Sequence, residues 1–563
     1  MRDEFTDVRV ACKALDHADL LIHSAVLWSH GRRLSETALV ARDGYIVELG
    51  DENLRAKYAV KLVIDAQGGL VTPSFVDAHV HMSQGGIEQL RCDLTDCEHA
   101  EEVYAKISDY AAKHPDLPWV LGGGWSMSLF AGGTPMKEDL DRIVADRPVF
   151  LLNADHHGAW ANSLALEMAA ISKDTPDPAD GRIERDSAGN PSGTLHEGAA
   201  DLVSHVLPAI TDAEARAGQL AGEAYLFRFG ITGWQEAVLG EFMGYPDFTP
   251  LFRELIDEGR LRGRVTGAMW VSRGFDGMSI PDFVAELERR RNVFGGRGLK
   301  LDTAKIMVDG VAENETAALE EPYLRPCKCG DEVGKTGLAY FSREELLELV
   351  PLLNERGINA HFHTIGDRAA RYALDAVEAV PAEVRAQVRN HIAHLQILNT
   401  ADVQRFAKLG VTANLQSLWA SFDDQMVQLT APILGDERMQ WQYLFKSLHD
   451  AGATLACGSD WPVSTPDPWQ AMHVAVNRRG PGETEVPQLL PEQALDLATI
   501  LTAYTRGSHE LIGVPGGVLA VGEVCDLAIA DRNPFAAESD SIYQTRNRVT
   551  VLGGEVVYAA EGF

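Results

Sequence analysis

At 563 residues the chain is well beyond the roughly 100–200 residues of one domain, and its 45% hydrophobic content can supply a large core. With 25 Pro, 51 Gly and 23% charged residues it falls outside the disordered and fibrous classes. The 50 basic and 82 acidic residues leave a net charge of -32, which argues against general affinity for nucleic acid or anionic lipid.

The first residues, MRDEFTDVRVACKALDHADLLIH, mix acids, bases and apolar residues, unlike a secretory signal. No run approaches the ~18 apolar residues of a membrane span, so the expectation is a soluble, cytoplasmic protein without a membrane or nucleic-acid partner. Seven scattered cysteines (Cys12, Cys92, Cys97, Cys327, Cys329, Cys457, Cys525) suit reduced thiols, and Cys327-Lys-Cys329 lacks zinc-knuckle spacing.

From Ala18 to about Gly69, ADLLIHSAVLW, ETALVARDGYIVELG and KLVIDAQGG read as strands of a small sheet. CDLAIADRNPF and NRVTVLGGEVVYAA, around a Gly-Gly turn, repeat that texture at the far end. The two ends are therefore expected to form one β-sandwich, residues 1–70 with 506–563. Between them apolar runs such as RPVFLLNA, KLDTAKIMVDG, INAHFHTIG, RNHIAHL, GVTANLQ and ATLACGSDW alternate with helical stretches such as SREELLELVPLLNERG and DRAARYALDAVEAV. Strands separated by helices imply βαβ units and a parallel sheet. Their number predicts an α/β fold, a (β/α)8 TIM barrel over residues 71–505, with an inserted excursion within about 119–237 that covers the barrel mouth.

The sharpest motif is Asp77-Ala78-His79-Val80-His81. Alternate residues of a strand share a face, so His79 and His81 can converge on one divalent cation. Further groups capable of holding a metal end other strands: His361 and His363, His394, Asp460, and Lys305 in TAKIMVDG. Catalytic groups of such barrels sit at those strand ends, and the ensemble is far more specific than any member.

In order along the chain, PSFVDAHVH, GGGW, LLNADHHGAWANS, SGTLHEGA, GITGWQEA, KIMVDGVAENETAALEEPY, HTIGDRA, HIAHLQ, GSDWPV and DLAIADRNP resemble the amidohydrolase superfamily, and within it the amidohydrolase family 3 branch of formamide-deformylase-like metal-dependent hydrolases. The resemblance implies a (β/α)8 barrel with a β-sandwich, and a hydrolase of carbon–nitrogen bonds other than peptide bonds. It makes His79 and His81 first-strand metal ligands, Lys305 the fourth-strand lysine, His363 and His394 the fifth- and sixth-strand ligands and Asp460 the eighth-strand aspartate. If Lys305 is carboxylated it bridges two ions; if it stays an amine a one-metal site follows. Zinc is the expected metal, with manganese the alternative, and Asp460 the general base and acid.

His157, in Asp155-His156-His157-Gly158, corresponds to a substrate-facing histidine with a carbonyl-polarising role, loop packing being the alternative. Trp125 and Trp461 are expected pocket walls, with Phe130, Trp160, Trp419 and Phe422 further aromatic candidates; a core position is the alternative for each. Glu197 and Glu236 read as buried hydrogen-bonding groups, and His361 as a residue that holds a ligand rather than the metal. One departure stands out: the branch has Arg-Ile-Glu-His at the sixth strand, and here His391-Ile392-Ala393-His394 leaves His391 as a competing ligand candidate.

The function expected is hydrolysis of an amide, N-acyl or N-formyl bond in a small, fairly apolar molecule. Ester or lactone hydrolysis and deamination are the alternatives on the same site, and a non-enzymatic ligand-binding or regulatory protein is the alternative of another class. A homodimer is the expected assembly.

Overall fold

The computed structural model describes residues 15–324 and 335–562. Eight parallel strands run round the centre in chain order: β1 (Phe75–Val80), β2 (Ile231–Leu239), β3 (Arg264–Trp270), β4 (Leu299–Met307), β5 (Asn359–Thr364), β6 (His391–His394), β7 (Thr412–Leu415) and β8 (Leu455–Cys457). Every residue of β1, β5, β6, β7 and β8 is buried, because helices cover the outer face of a parallel sheet whose inner face is already filled. Helices Ile280–Phe294, Arg343–Glu355 and Asp367–Glu378 connect successive strands, and Ser342 opens the second of them with a reciprocal cap to Glu345. This is the expected TIM barrel.

The two ends of the chain form the sandwich. Leu70–Pro73 pairs with Val26–Ser29 on one side and with Leu527–Ala530 on the other, so N- and C-terminal strands share a sheet. A second, wholly N-terminal sheet (Asp16–His23, Ala38–Arg42, Tyr45–Gly50, Tyr58–Asp65) packs on it through Leu20, Ile22, Leu39, Val71, Leu527, Ile529 and Val551. The strand 70–73 lies across the expected boundary at residue 70, and Ser508–Ile512 packs against barrel strand β1 through Leu511 and Ile512. The sandwich core therefore takes up the C-terminal chain from Leu519, later than position 506.

The expected excursion is a six-stranded sheet of its own, Cys92–Asp93 through Pro191–Glu197. It starts before residue 119 and ends before β2, which belongs to the barrel. RPVFLLNA, which reads like a barrel strand, is Val149–Asn153 in this inserted sheet, paired with Val120–Trp125 and Gly158–Ala161. Both kinds of buried strand have the same apolar texture, so only their pairing separates them. No helix among the described residues is long and apolar enough to cross a membrane. Cys92, Cys97, Cys457 and Cys525 are free thiols, whereas Cys12, Cys327 and Cys329 lie outside the described residues.

Candidate active site

The seam between β8 and β1 builds the first part of the site. Asp460 N–H donates to His79 O (2.8 Å) and His81 N–H donates to Trp461 O (2.8 Å), so the turn after β8 is stitched to the end of β1. Gly458 makes this approach possible: a Cβ there would fall 2.6 Å from His79 Cβ. Ser459 N–H and Oγ–H donate to Asp77 (3.0 and 2.5 Å), fixing the same turn from below. As a result Asp460 Oδ1 lies 3.1 Å from Nε2 of both His79 and His81.

One ligand atom from each of these three residues falls within 4.8 Å of the others. Asp460 Oδ1 is buried and makes no hydrogen bond despite these short approaches. Burial pushes the His79 imidazole down to about 3, with the Lys305 charge acting in the same direction, so it is the neutral, ligating form. Asp460 and His394 adopt positive φ (58° and 75°), a conformation that costs a non-glycine residue roughly 1–3 kcal/mol and recurs where function imposes it.

Lys305, His363 and His394 complete the chamber from β4, β5 and β6. Lys305 Nζ is buried 3.2 Å from His79 Nε2, and burial pulls its pKa down to about 7 against the opposing charge of Asp460. The His394 ring stacks on Trp419 with centroids 5.4 Å apart and lies 4.5 Å from the His363 ring. Neither ring nitrogen of His394 makes a hydrogen bond, nor does His363 Nδ1, which lies 3.3 Å from Asp309 Oδ1. Buried polar atoms are rarely left so, and here several converge with a carboxylate. Imidazole nitrogens and one carboxylate oxygen suit a divalent ion such as zinc, so the residues fit the group that the sequence implies.

The histidines on either side sort themselves by partner. His361 Nε2 lies 2.9 Å from His79 Nδ1, which orients that ring and removes His361 from the ligand set. His391 Nε2 lies 3.0 Å from Gln235 Oε1, so His391 is occupied elsewhere and does not compete with His394. Ala393, where the branch has Glu, offers no carboxylate.

The inserted sheet supplies the opposing groups. His157 Nδ1 lies 3.0 Å from Glu197, whose other oxygen, Oε1, accepts from Thr316 Oγ1 at 2.8 Å. Burial alone would discharge this imidazole, but the carboxylate outweighs it and holds His157 up at about 9, while Glu197 itself is held down at about 2. His156 instead pairs with Glu88 at 3.0 Å, where Gln84 and Tyr245 also donate, tying the insertion to the barrel. Glu236 accepts from Ser83 N–H and is pushed up to about 8 by burial, in the buried hydrogen-bonding place expected of it.

Two expected pocket walls sit elsewhere. Trp125 is buried in the core of the insertion, donates from Nε1 to Leu151 O (3.0 Å), and packs edge-on against Phe130 and Trp160. Trp461 is buried between Tyr225 (5.0 Å) and Gly85, where a Cβ would meet its ring at 2.8 Å. Of the aromatic candidates, Trp419 does line a cavity beside the metal chamber, and the chamber's own apolar wall is formed by residues that the sequence did not single out. The metal chamber, about 40 Å³, is lined by Phe242, Trp270, Met307 and Val463 besides the histidines, Lys305 and Asp460. A cavity of about 560 Å³ adjoins it past His156 and His157. Another, about 310 Å³, adjoins it past His363 and His394 and has Trp419 in its wall.

A parallel eight-stranded barrel with these groups at its C-terminal rim has the layout of a barrel enzyme, with donors of the kind that hold a divalent ion. The chain belongs to the amidohydrolase family, whose profile matches residues 62–558. It is 28% identical over 529 residues to YtcJ of Bacillus subtilis (strain 168), covering 92% of this chain and 96% of that one. It is 26% identical over 584 residues to N-substituted formamide deformylase of Arthrobacter pascens, covering 96% and 98%. Among solved structures, an uncharacterized metal-dependent hydrolase from Pyrococcus horikoshii OT3 shares the fold with a TM-score of 0.69 at 24% identity, covering 92% of this chain and 99% of that one.

Proposed function

We propose that the protein hydrolyses a carbon–nitrogen bond of an amide, N-acyl or N-formyl compound, with Asp460 as general base and acid and His157 polarising the carbonyl. The observation that carries the reading is the placement of Asp460 Oδ1, 3.1 Å from both first-strand imidazoles in a chamber that His157 also lines. His79, His81 and Asp460 would hold a divalent ion, zinc by ligand type with manganese the alternative. Lys305, if carboxylated, would join His363 and His394 in holding a second, and its depressed pKa favours the neutral amine that carboxylation requires. When bound, such an ion supplies Lewis acidity, making water a nucleophile near neutral pH and drawing electron density from a carbonyl.

The protein's own groups divide the proton work. Asp460 is buried and ionised, so it can accept a proton from the attacking water and return it to the departing amine. His157, charged through its pairing with Glu197, donates from its remaining ring nitrogen towards the oxygen on which negative charge develops. The deformylase relative makes N-formyl amines the first compounds to try.

The test is turnover by zinc- or manganese-loaded protein on N-formyl, N-acyl, cyclic-amide, lactone and ester panels. Amide or N-formyl cleavage is the expected result, and it disappears in His79→Ala with the circular dichroism unchanged. Cleavage of esters or lactones alone, or protein that retains no metal, overturns the reading. Native mass spectrometry reads Lys305 directly: a carbamate adds the mass of one CO2 that Lys305→Ala lacks.

A further inference from the structure

The cavity of about 310 Å³ shares His157, His363, His394, Asp460 and Val463 with the metal chamber, so a substrate held at the reacting centre extends into it. Its remaining wall has a consistent chemistry. Asp155, Glu313 and Asp423 line it, and none of the three is in an ion pair among the described residues. The described lining residues include no Lys or Arg. The charge of His157 is already matched by Glu197 at 3.0 Å.

Asp155 accepts from His157 N–H at 2.8 Å and Asp423 from Met426 N–H at 2.7 Å, while two other groups in that wall make no side-chain hydrogen bond. Gln396 is 4% exposed and its side-chain amide makes no hydrogen bond; Tyr443 is 2% exposed and its hydroxyl makes none either. Their polar atoms open to the cavity, where an occupant can pair with them. Glu313 Oε1 is held by Thr430 Oγ1 at 2.6 Å, which fixes the carboxylate in place without neutralising it. Burial pushes Glu313 above its ordinary range and Asp423 up to about 6, the response of carboxylates that lack a counter-ion. Trp419, stacked on His394, adds an aromatic face to the same wall.

An ammonium group suits the acceptors of this wall. It has three donors and no acceptor, and the wall offers the Glu313 and Asp423 carboxylates, the Tyr443 hydroxyl oxygen and the Gln396 amide oxygen. Aromatic faces favour the same cation. A carboxylate in this place would meet three acids that have no ion-pair partner, and no Lys or Arg, so acylated amino acids with a free carboxylate are disfavoured on this side.

We propose that this cavity recognises an ammonium group, so that the compound cleaved is an acylated amine carrying a second, cationic amine. The inference rests on the carbon–nitrogen hydrolase reading for the bond that breaks, but recognition of the cation can be measured without cleavage.

The probes are N-acetyl-1,4-diaminobutane and N-pentylacetamide, in which a methyl group replaces the ammonium. Both are titrated calorimetrically into zinc-loaded full-length protein and assayed for turnover. The expected result is at least about tenfold preference for the cationic probe, reduced to about twofold or less in the E313Q/D423N variant. Glu313→Gln alone keeps the acceptor for Thr430 and serves if the double variant does not fold; it is expected to lose part of the preference. Equal binding of the two probes by the wild type, or a preference that survives both variants, overturns the proposal. If neither probe is cleaved but the cation is still preferred and the variants lose that preference, the ammonium site stands and the carbon–nitrogen reading falls.

Discussion

His361 Nε2 lies 2.9 Å from His79 Nδ1, and this contact determines which face of the His79 ring is free. With Nδ1 engaged, Nε2 is left towards Asp460 and His81. Outer partners of this kind typically contribute 10–100-fold to metal affinity. His361→Ala is therefore expected to weaken zinc binding about 10–100-fold, read by competition with a chromophoric chelator. His361→Gln retains a side-chain hydrogen-bonding group and should recover part of the loss. Unchanged affinity in the alanine variant would remove His361 from the site.

Gly458 touches the same histidine from the other side of the seam. Because a methyl group there would sit 2.6 Å from His79 Cβ and equally close to its backbone N, Gly458→Ala must push β1 and the turn carrying Asp460 apart. The expected outcome is protein that folds but holds zinc at least about tenfold more weakly, since ligand geometry tolerates only small displacements. Metal content after dialysis against a weak chelator checks it, and full occupancy would show that the seam relaxes.

The difference between what the sequence displays and what only the fold creates follows from distance along the chain. His79 and His81 are legible because period two in a strand puts them on one face, His363, His394 and Asp460 because each ends an apolar run, and Lys305 because a lysine inside the apolar run TAKIMV is unusual. His391 and His394 could not be ranked by spacing, and Gln235, 156 residues from His391, supplies the contact that separates them. The bounds of the inserted sheet are not legible because a fully buried strand such as Val149–Asn153 has the same texture wherever it pairs. Trp125 read as a wall because GGGW resembles a loop, whereas the backbone there is a strand and the indole turns into the core. Glu313, Gln396 and Tyr443 come from loops after three different strands, and ordinary residue types in ordinary loops carry no local signal of meeting.

Glu197 holds the charge on His157, and this predicts a pH dependence. A histidine whose pKa is raised to about 9 is protonated below that pH and loses its proton, and its donor role, as pH rises through it. In Glu197→Gln the carboxylate that raises it most is gone while burial remains, so the pKa falls, although Asp155 and Asp460 still act upwards. The alkaline limb of kcat/KM is expected near 9 in the wild type and at clearly lower pH in the variant. An alkaline limb that does not move would assign it to another group.

Asp467 predicts an effect on stability instead. It caps the helix Pro468–Asn477 by accepting from Trp469 N–H at 2.9 Å, yet burial raises its pKa to about 6. The folded state therefore binds more protons than the unfolded state between about pH 4 and 6, and stability contributed by this group falls as pH rises through that window. Asp467→Asn keeps a side-chain oxygen for the cap and removes the charge. Its stability relative to wild type is expected to increase from pH 4 to 6 and stay level above, by about 1–3 kcal/mol, measured by denaturant midpoints across that range.

Asp526 joins the sandwich to the barrel. Its carboxylate is 1% exposed and takes both Nε and Nη2 of Arg264 on β3, the second at 3.0 Å, while its Oδ1 also accepts from Gly553 N–H at 2.6 Å. Its backbone oxygen accepts from Ser74 N–H at 2.9 Å, between the sandwich strand Leu70–Pro73 and β1. Removing one member of a buried pair leaves an uncompensated charge, whereas replacing both with apolar groups is often neutral. Arg264→Ala is thus expected to destabilise the protein by about 3–5 kcal/mol, and Arg264→Met with Asp526→Leu by clearly less. Thermal midpoints for the two variants decide the matter: a double variant at least as unstable as the single one would mean that the pair positions the two domains by directional hydrogen bonds rather than by relieving a buried charge.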